Sequence, residues 1–340
     1  MRYIFELNHP KHYYQFKYIM GTLREHGHDI KVLARDKDVL LDVLKEEGVS
    51  YIIFGKHNKS MTAKILGTFA LVWNYVVIAC KYKPDVIVSK GSLYGTLTAK
   101  LLRKKSVIFP DSEVVKVTNR YVVPLCTKVV TPQSFQLDYG KKHLRVAGIF
   151  EDCYLSPQVY EPNPSVVVEY GLHRPYAVLR FVGWFANHDV GNNGFDNQQK
   201  LRLVKALAQN MTVYISSEKE LPAELAAYRL PTPASLIHDV LSYADLYVGD
   251  SQTMAAEAAL LGTPSIRSNS FVGSNDMSNF IMLQEQYGLL HNVALPSEAI
   301  QLAEEFSMNS HKEEWMRKRK QYYDQIGNIN AAIVSILEKV

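Results

Sequence analysis

Cysteine is scarce in this chain: Cys80, Cys126 and Cys153 are the only three among 340 residues. They form no CxxC pair and share no ligand-like spacing with a histidine. That excludes a disulfide framework and a cysteine zinc site, and fits a reducing compartment. The chain has no HExxH for zinc hydrolysis and no GxSxG elbow for a serine hydrolase. Neither GxGxxG nor GxxxxGK[ST] occurs, so a dinucleotide or P-loop site is not supported. No resident metal and no cofactor are expected. Long apolar runs are also missing. The best candidate, "ILGTFALVWNYVVIAC" (Ile65–Cys80), has 16 residues between Lys64 and Lys81 and is interrupted by Asn74. A spanning helix needs about 20. The segment is therefore expected to be a buried helix of an α/β domain, with a helix lying on a bilayer surface as the alternative. No module pairs basic with aromatic residues as nucleic-acid binding would require.

What is present is a folded composition, 47% hydrophobic and 21% charged, long enough for two cores. The opening "MRYIFELNHP" reads as a strand and turn rather than a signal peptide, so a cytoplasmic location is expected. Charge is unevenly spread. Residues 1–150 carry 24 Lys and Arg against 12 Asp and Glu, a net of +12, and the remainder holds 14 against 22, a net of −8. A half this basic suits an anionic substrate or a peripheral contact with an anionic membrane at its inner face, or is simply a solvated lysine surface.

Short β-branched or aromatic runs alternate with helix-length segments. "YIFEL" (Tyr3–Leu7), "IKVLA" (Ile30–Ala34), "YIIF" (Tyr51–Phe54), "DVIVS" (Asp85–Ser89), "SVIF" (Ser106–Phe109) and "KVVT" (Lys128–Thr131) come first. Gly27 is placed to end the first helix. "SPQVYEPNPSV" (Ser156–Val166), with three prolines, breaks the rhythm as a linker would. The alternation restarts with "YAVLRFV" (Tyr176–Val182), "TVYIS" (Thr212–Ser216), "DLYVG" (Asp245–Gly249) and "PSIR" (Pro264–Arg267), and from Pro296 onward only helices are read. The expectation is an α/β protein of two doubly wound, Rossmann-like domains, 1–155 and 156–340, facing each other across a cleft. The last helix is a candidate to pack back on the first domain.

In such sheets ligands bind beyond the carboxyl ends of the strands. That rule selects "GDSQTMAAEAALLGTP" (Gly249–Pro264). Gly249 permits a tight turn, and Asp250 or Ser251 caps a helix whose first-turn amides face an anion. Gln252 lies in that turn, Ser251 and Thr253 add hydroxyls, and Glu257, one helical turn further, suits a ribose diol. The competing reading is an ordinary helix start with Glu257 solvated. A second loop, "GWFANHDVGNNGF" (Gly183–Phe195), offers His188, Asp189 and Gly191. Its glycines permit close backbone approach to a ligand and its histidine can donate to a diphosphate or act as acid or base, or it is simply a surface loop. A third, "LNHPKHYY" (Leu7–Tyr14), offers His9 and His12 as general bases. A fourth, "FPDSEVV" (Phe109–Val115), offers Asp111 and Glu113.

"NHP", "GHDIKVLARD", "FGKHNKS", "PDVIVSKGS", "FPDSE", "RFVGWFANHDVG" and "GDSQTMAAEAALLGTPSIR" together resemble the DUF354 family over about residues 1–290. These bacterial and archaeal proteins have the GT-B glycosyltransferase fold, are related to the non-hydrolysing UDP-N-acetylglucosamine 2-epimerases, and are often associated with surface polysaccharide synthesis. The resemblance implies a GT-B fold, with the nucleotide sugar on the C-terminal domain and the acceptor on the N-terminal one. The epimerases' DSGGxxxE signature is matched by Asp250, Ser251 and Glu257, while Gln252 and Thr253 replace its two glycines. It gives His188 a diphosphate contact. The epimerase PEExNR stretch is reduced to "VTNR" (Val117–Arg120), leaving Asp111 and Glu113 as its only counterparts among the carboxylates.

The resulting expectation is a metal-independent glycosyltransferase that moves a sugar from a nucleotide-sugar donor, a UDP-sugar first, to a glycan or lipid-linked acceptor. His9 is the first choice of base and His12 the second. A UDP-sugar 2-epimerase and a non-catalytic glycan-binding protein are the alternatives.

Overall fold

A computed structural model describes residues 1–36, 39–56, 61–113, 115, 117–182, 194–217, 220–273 and 276–340. The chain divides into two units, Met1–Tyr154 with Asn328–Val340, and Leu155–Gly327. The first unit alternates β1 (Arg2–Leu7), α1 (Pro10–Glu25), β2 (Asp29–Asp36), α2 (Leu40–Glu46), β3 (Tyr51–Lys56), α3 (Met61–Tyr82), β4 (Val86–Ser89), α4 (Leu93–Leu101), β5 (Lys105–Ile108), β6 (Lys128–Pro132) and β7 (His143–Val146). Its strands lie in the order β3-β2-β1-β4-β5-β6-β7, all parallel.

β1 shows why. Tyr3, Ile4, Phe5 and Leu7 are all fully buried, the near-continuous apolar run of a strand covered on both faces. Tyr3, Phe5 and Leu7 join Phe16, Ile19 and Leu23 of α1 in one core. Ile4 joins Leu33, Ile87 and the α3 residues Leu71, Tyr75 and Ala79 in another. Gly27 takes a left-handed φ of 79° behind α1 and donates to Arg24 O, the helix stop read from the sequence.

α5 (Asp152–Leu155) closes the Met1–Tyr154 stretch of the first unit, and its last residue, Leu155, opens the second. There follow α6 (Ser165–Glu169), β8 (Tyr176–Phe181), α7 (Asn197–Leu207), β9 (Thr212–Ser217), α8 (Ile237–Tyr243), β10 (Leu246–Gly249), α9 (Gln252–Leu260), β11 (Ser265–Arg267), α10 (Ser278–Glu285), β12 (Leu290–Asn292), α11 (Pro296–Ser307) and α12 (Lys312–Ile326). The strand order is β12-β11-β10-β8-β9, again all parallel. The last helix, α13 (Ile329–Lys339), belongs to the first unit, where Ile329, Ile333 and Leu337 enter the core beside α1.

Two strands were not read from the sequence, β7 ("HLRV") and β12 ("LHN"). Both are short edge strands, which carry no apolar run to announce them. The segment expected as a buried helix is also corrected. α3 runs for 22 residues, and over Phe69–Tyr82 it buries only one face. Phe69 and Trp73, on the other face, are 73% and 69% exposed. Among the described residues no helix is long and apolar enough to cross a membrane.

Candidate functional site

In each sheet the chain reverses its direction of travel once, between β1 and β4 in the first unit and between β8 and β10 in the second. Such switch points open a crevice at the carboxyl ends of the two flanking strands. In the second unit the described residues at that point are the end of β8 and the β10–α9 corner, Gly249–Thr253. The loop residues His188, Asp189 and Gly191 lie outside the described residues.

The corner is built as a helix start. Ser251 is the N-cap of α9, and its hydroxyl accepts from Met254 N at 3.4 Å. The amides of Gln252 and Thr253, in the helix's first turn, have no intrahelical acceptor to reach and point out of the N-terminus, where an anion is favoured. Asp250, 1% exposed, does not cap. Its Oδ1 accepts from Val182 N at 2.9 Å, and its carbonyl accepts from Asn269 Nδ2 at 3.0 Å. The carboxylate thus ties the end of β8 to the end of β10.

Gly249 is a glycine for a different reason from the turn read in the sequence. A Cβ there would lie 2.6 Å from both Tyr247 Oη and Arg180 O, so the Tyr247 ring occupies the side-chain position. Gly249→Ala is expected to cost about 1–3 kcal/mol by overpacking, measured by chemical denaturation.

Glu257 is not a solvated helix residue. It is 7% exposed, and its Oε1 lies 3.3 Å from His238 Nε2 on α8. The alanines around it, Ala255, Ala256, Ala258 and Ala259, are fully buried and let α9 pack closely on every side. Burial works against a charged imidazole at His238, but the Glu257 carboxylate outweighs it and raises the pKa above the ordinary histidine range. A pKa raised on folding adds stability that is complete below the unfolded value, about 6.5, and is lost as pH rises through the folded one. The melting temperature of wild type relative to His238→Gln is therefore expected to be highest near pH 5.5 and to fall as pH climbs past 7. A flat difference would refute the pairing.

Deeper at the same edge, Arg267 ends β11 opposite Gly249 and is fully buried. Its Nη2 is ion-paired with Asp276, and its guanidinium carbon lies 3.8 Å from the Phe280 ring centre. Its Nε and Nη1, with Tyr247 Oη, have no hydrogen-bond partner among the described residues.

The first unit's switch point gathers Lys11, His12, Lys90 and Asp111. Lys90 Nζ lies 3.2 Å from Asp111 Oδ2 and donates to Gln15 Oε1 at 2.7 Å. Lys11 Nζ lies 3.6 Å from the same Asp111 oxygen and 2.8 Å from Glu151 Oε1. Burial alone would raise the Asp111 pKa, but Lys90 and Lys11 hold it well below the usual carboxylate range. His12 is pushed down to about 3, first by burial and then by Lys90. Its Nδ1 accepts from Asn8 N at 3.2 Å, so the neutral ring carries its proton on Nε2 and presents a donor. His9 caps α1, with Nδ1 accepting from Lys11 N at 3.1 Å. To accept a proton at Nε2 it must first leave that cap. Glu113 is directed toward the loop after β6, where its Oε1 accepts from Gln136 N at 3.4 Å. Glu6, also fully buried at this edge, accepts from Asn8 Nδ2 at 2.9 Å and has its pKa raised by burial.

Lys11, Lys90, His238, Arg267 and Asp276 were not singled out from sequence. An arginine closing an apolar strand, as in "PSIR", is the one signal that pointed to any of them. No group of three or more His, Cys, Asp or Glu among the described residues is arranged to hold a metal. The one DxD triplet, Asp36-Lys37-Asp38, ends outside them.

These two crevices sit on a fold that known structures share. The family match is to DUF354. Its model, described as a protein of unknown function, matches residues 3–145. No curated protein matches. The UDP-GlcNAc 2-epimerase from Methanocaldococcus jannaschii is 14% identical, with a TM-score of 0.69 and 100% of both chains covered. MurG from Acinetobacter baumannii is 15% identical, with a TM-score of 0.64 and 100% of both chains covered. The spinosyn rhamnosyltransferase SpnG is 15% identical, with a TM-score of 0.64, covering 99% of this chain and 100% of its own. At these identities the likeness establishes the fold, which is GT-B, and leaves the reaction to be argued from the residues.

Proposed function

We propose that this protein is a metal-independent glycosyltransferase that uses a nucleotide-sugar donor. The observation that carries the reading is the capped N-terminus of α9 at the second unit's switch point, with a buried carboxylate one turn along it. Donor diphosphate would lie on the Gln252 and Thr253 amides and the Ser251 and Thr253 hydroxyls, with His188, Asp189 and Gly191 approaching from the loop after β8. Glu257 would take the ribose diol, sharing its charge with His238. Oriented donors at the leaving diphosphate stabilise the charge that develops as the glycosidic bond breaks.

The first unit would carry the acceptor, a glycan or lipid-linked hydroxyl, with His9 as base once released from its cap. His12, neutral and donating, would orient the acceptor rather than deprotonate it. Solved structures of this fold hold a nucleoside diphosphate or a nucleotide sugar by their own descriptions: SpnG was captured with thymidine diphosphate, and the epimerase from Neisseria meningitidis with UDP-GlcNAc. Surface polysaccharide synthesis at the inner face of the cell membrane is the setting proposed.

The epimerase reading ranks second. Proton removal at the sugar's C2 calls for a base with a pKa near the working pH, and Asp111, pinned by two lysines, is held far below it. Incubation with UDP-GlcNAc and no acceptor separates the two: a C2 epimer in the product would replace the transferase reading. A melting temperature unmoved by UDP, TDP and GDP alike would favour a non-catalytic binder instead.

A further inference from the structure

We propose that the outer face of α3 docks this protein onto the surface of an anionic lipid bilayer. The helix has two apolar faces and one sheet to bury them against. Leu71, Tyr75 and Ala79, spaced four apart, are 7%, 0% and 1% exposed and pack on the sheet. Phe69, Trp73 and Val77, also spaced four apart, are 73%, 69% and 37% exposed. Residues at that spacing share one side of a helix, here a stripe about 12 Å long at 1.5 Å per residue. Two aromatic rings side by side in water are a costly surface unless something covers them.

Charge says what covers them. From residue 48 to residue 110 the chain carries ten Lys and Arg and a single acid, Asp85. That acid already accepts from Arg2 N at 2.8 Å. Lys81 and Lys83 are exposed at the C-terminal end of α3, where Arg2 Nη1 also donates to Tyr82 O at 3.1 Å. An aromatic stripe that runs toward the exposed Lys81 and Lys83, in the half of the chain whose net charge is +12, fits a bilayer interface, with rings at headgroup depth and lysines on anionic lipid. A second copy of the chain is the weaker occupant. A stable dimer covers about 800 Å² on each partner, and three side chains expose only a few hundred. Like charge would also repel like.

Flotation tests the proposal with the full-length protein. Wild type is expected to rise with phosphatidylcholine vesicles containing phosphatidylglycerol and to stay behind with phosphatidylcholine alone. Binding should weaken near 0.5 M salt, where the Debye length shrinks to about 4 Å. Phe69→Ser with Trp73→Ser is expected to cut the bound fraction at least about tenfold while leaving the melting temperature unchanged, because both side chains lie outside the core. The proposal is overturned if wild type binds neither vesicle, or if the double variant binds as well as wild type. It is equally overturned if the double variant abolishes a concentration-dependent dimer seen by light scattering without lipid. None of these results bears on nucleotide binding, so the donor site stands or falls separately.

Discussion

Asp276→Asn is expected to destabilise the protein by about 3–5 kcal/mol, the largest effect of any single substitution considered, because it strands a buried charge. Arg267 and Asp276 expose 0% and 2% of their side chains, so neither can turn to water when its partner is lost. Burial pushes the Arg267 pKa down and the Asp276 carboxylate supports it. Asp276 also anchors the loop, its Oδ1 accepting from Met277 N at 2.8 Å. The Phe280 ring face gives the cation a second, weaker partner that stays in the variant, and it does not replace a carboxylate. In a unit the size of Leu155–Gly327, unfolding by itself, the loss corresponds to a drop of roughly 6–20 °C in melting temperature. Replacing both residues, Arg267→Met with Asp276→Leu, removes the charge along with its partner and is expected to recover most of the stability. Denaturation midpoints decide. A single variant within about 1 kcal/mol of wild type would mean that the guanidinium finds another partner.

Glu257→Ala is expected to abolish the stabilisation that UDP confers. At a concentration of 100 times its Kd, a nucleotide that binds only the native state adds about 2.7 kcal/mol, several degrees in a melting curve. The carboxylate that would hold the ribose diol is the same one that pairs with His238, so the alanine variant also loses some stability without ligand. A second substitution separates the two roles. His238→Gln removes the imidazole and keeps the carboxylate, so it is expected to preserve most of the UDP shift. If both variants lose the shift equally, the pair is scaffolding. If neither does, Glu257 has no part in nucleotide binding and the donor site must move.

Much of the fold was legible because parallel sheets write themselves into sequence. A strand buried on both faces must be apolar at nearly every position, and "YIFEL" and "DLYVG" are. The helix start at Ser251 was legible for a similar reason, since capping depends on residues within one turn of one another. Edge strands β7 and β12 were not, because half-exposed three- and four-residue segments need no such pattern.

The candidate site divides along the same line. Sequence by itself determined the α/β alternation, the loops that follow the strands, and the polar corner Gly249–Thr253 with a carboxylate four residues beyond it. It also determined that one half is basic. Only the tertiary structure decided what those groups face. It set Glu257 against His238, turned Asp250 inward to brace Val182, clamped Asp111 between two lysines, and left Phe69 and Trp73 in water. The reason is range. Periodicity and capping act over a few residues and leave a local signature. Ion pairs such as His238 with Glu257, or Lys11 with Asp111, join positions far apart in the chain, and their partners are chosen by the packing of helices on a sheet.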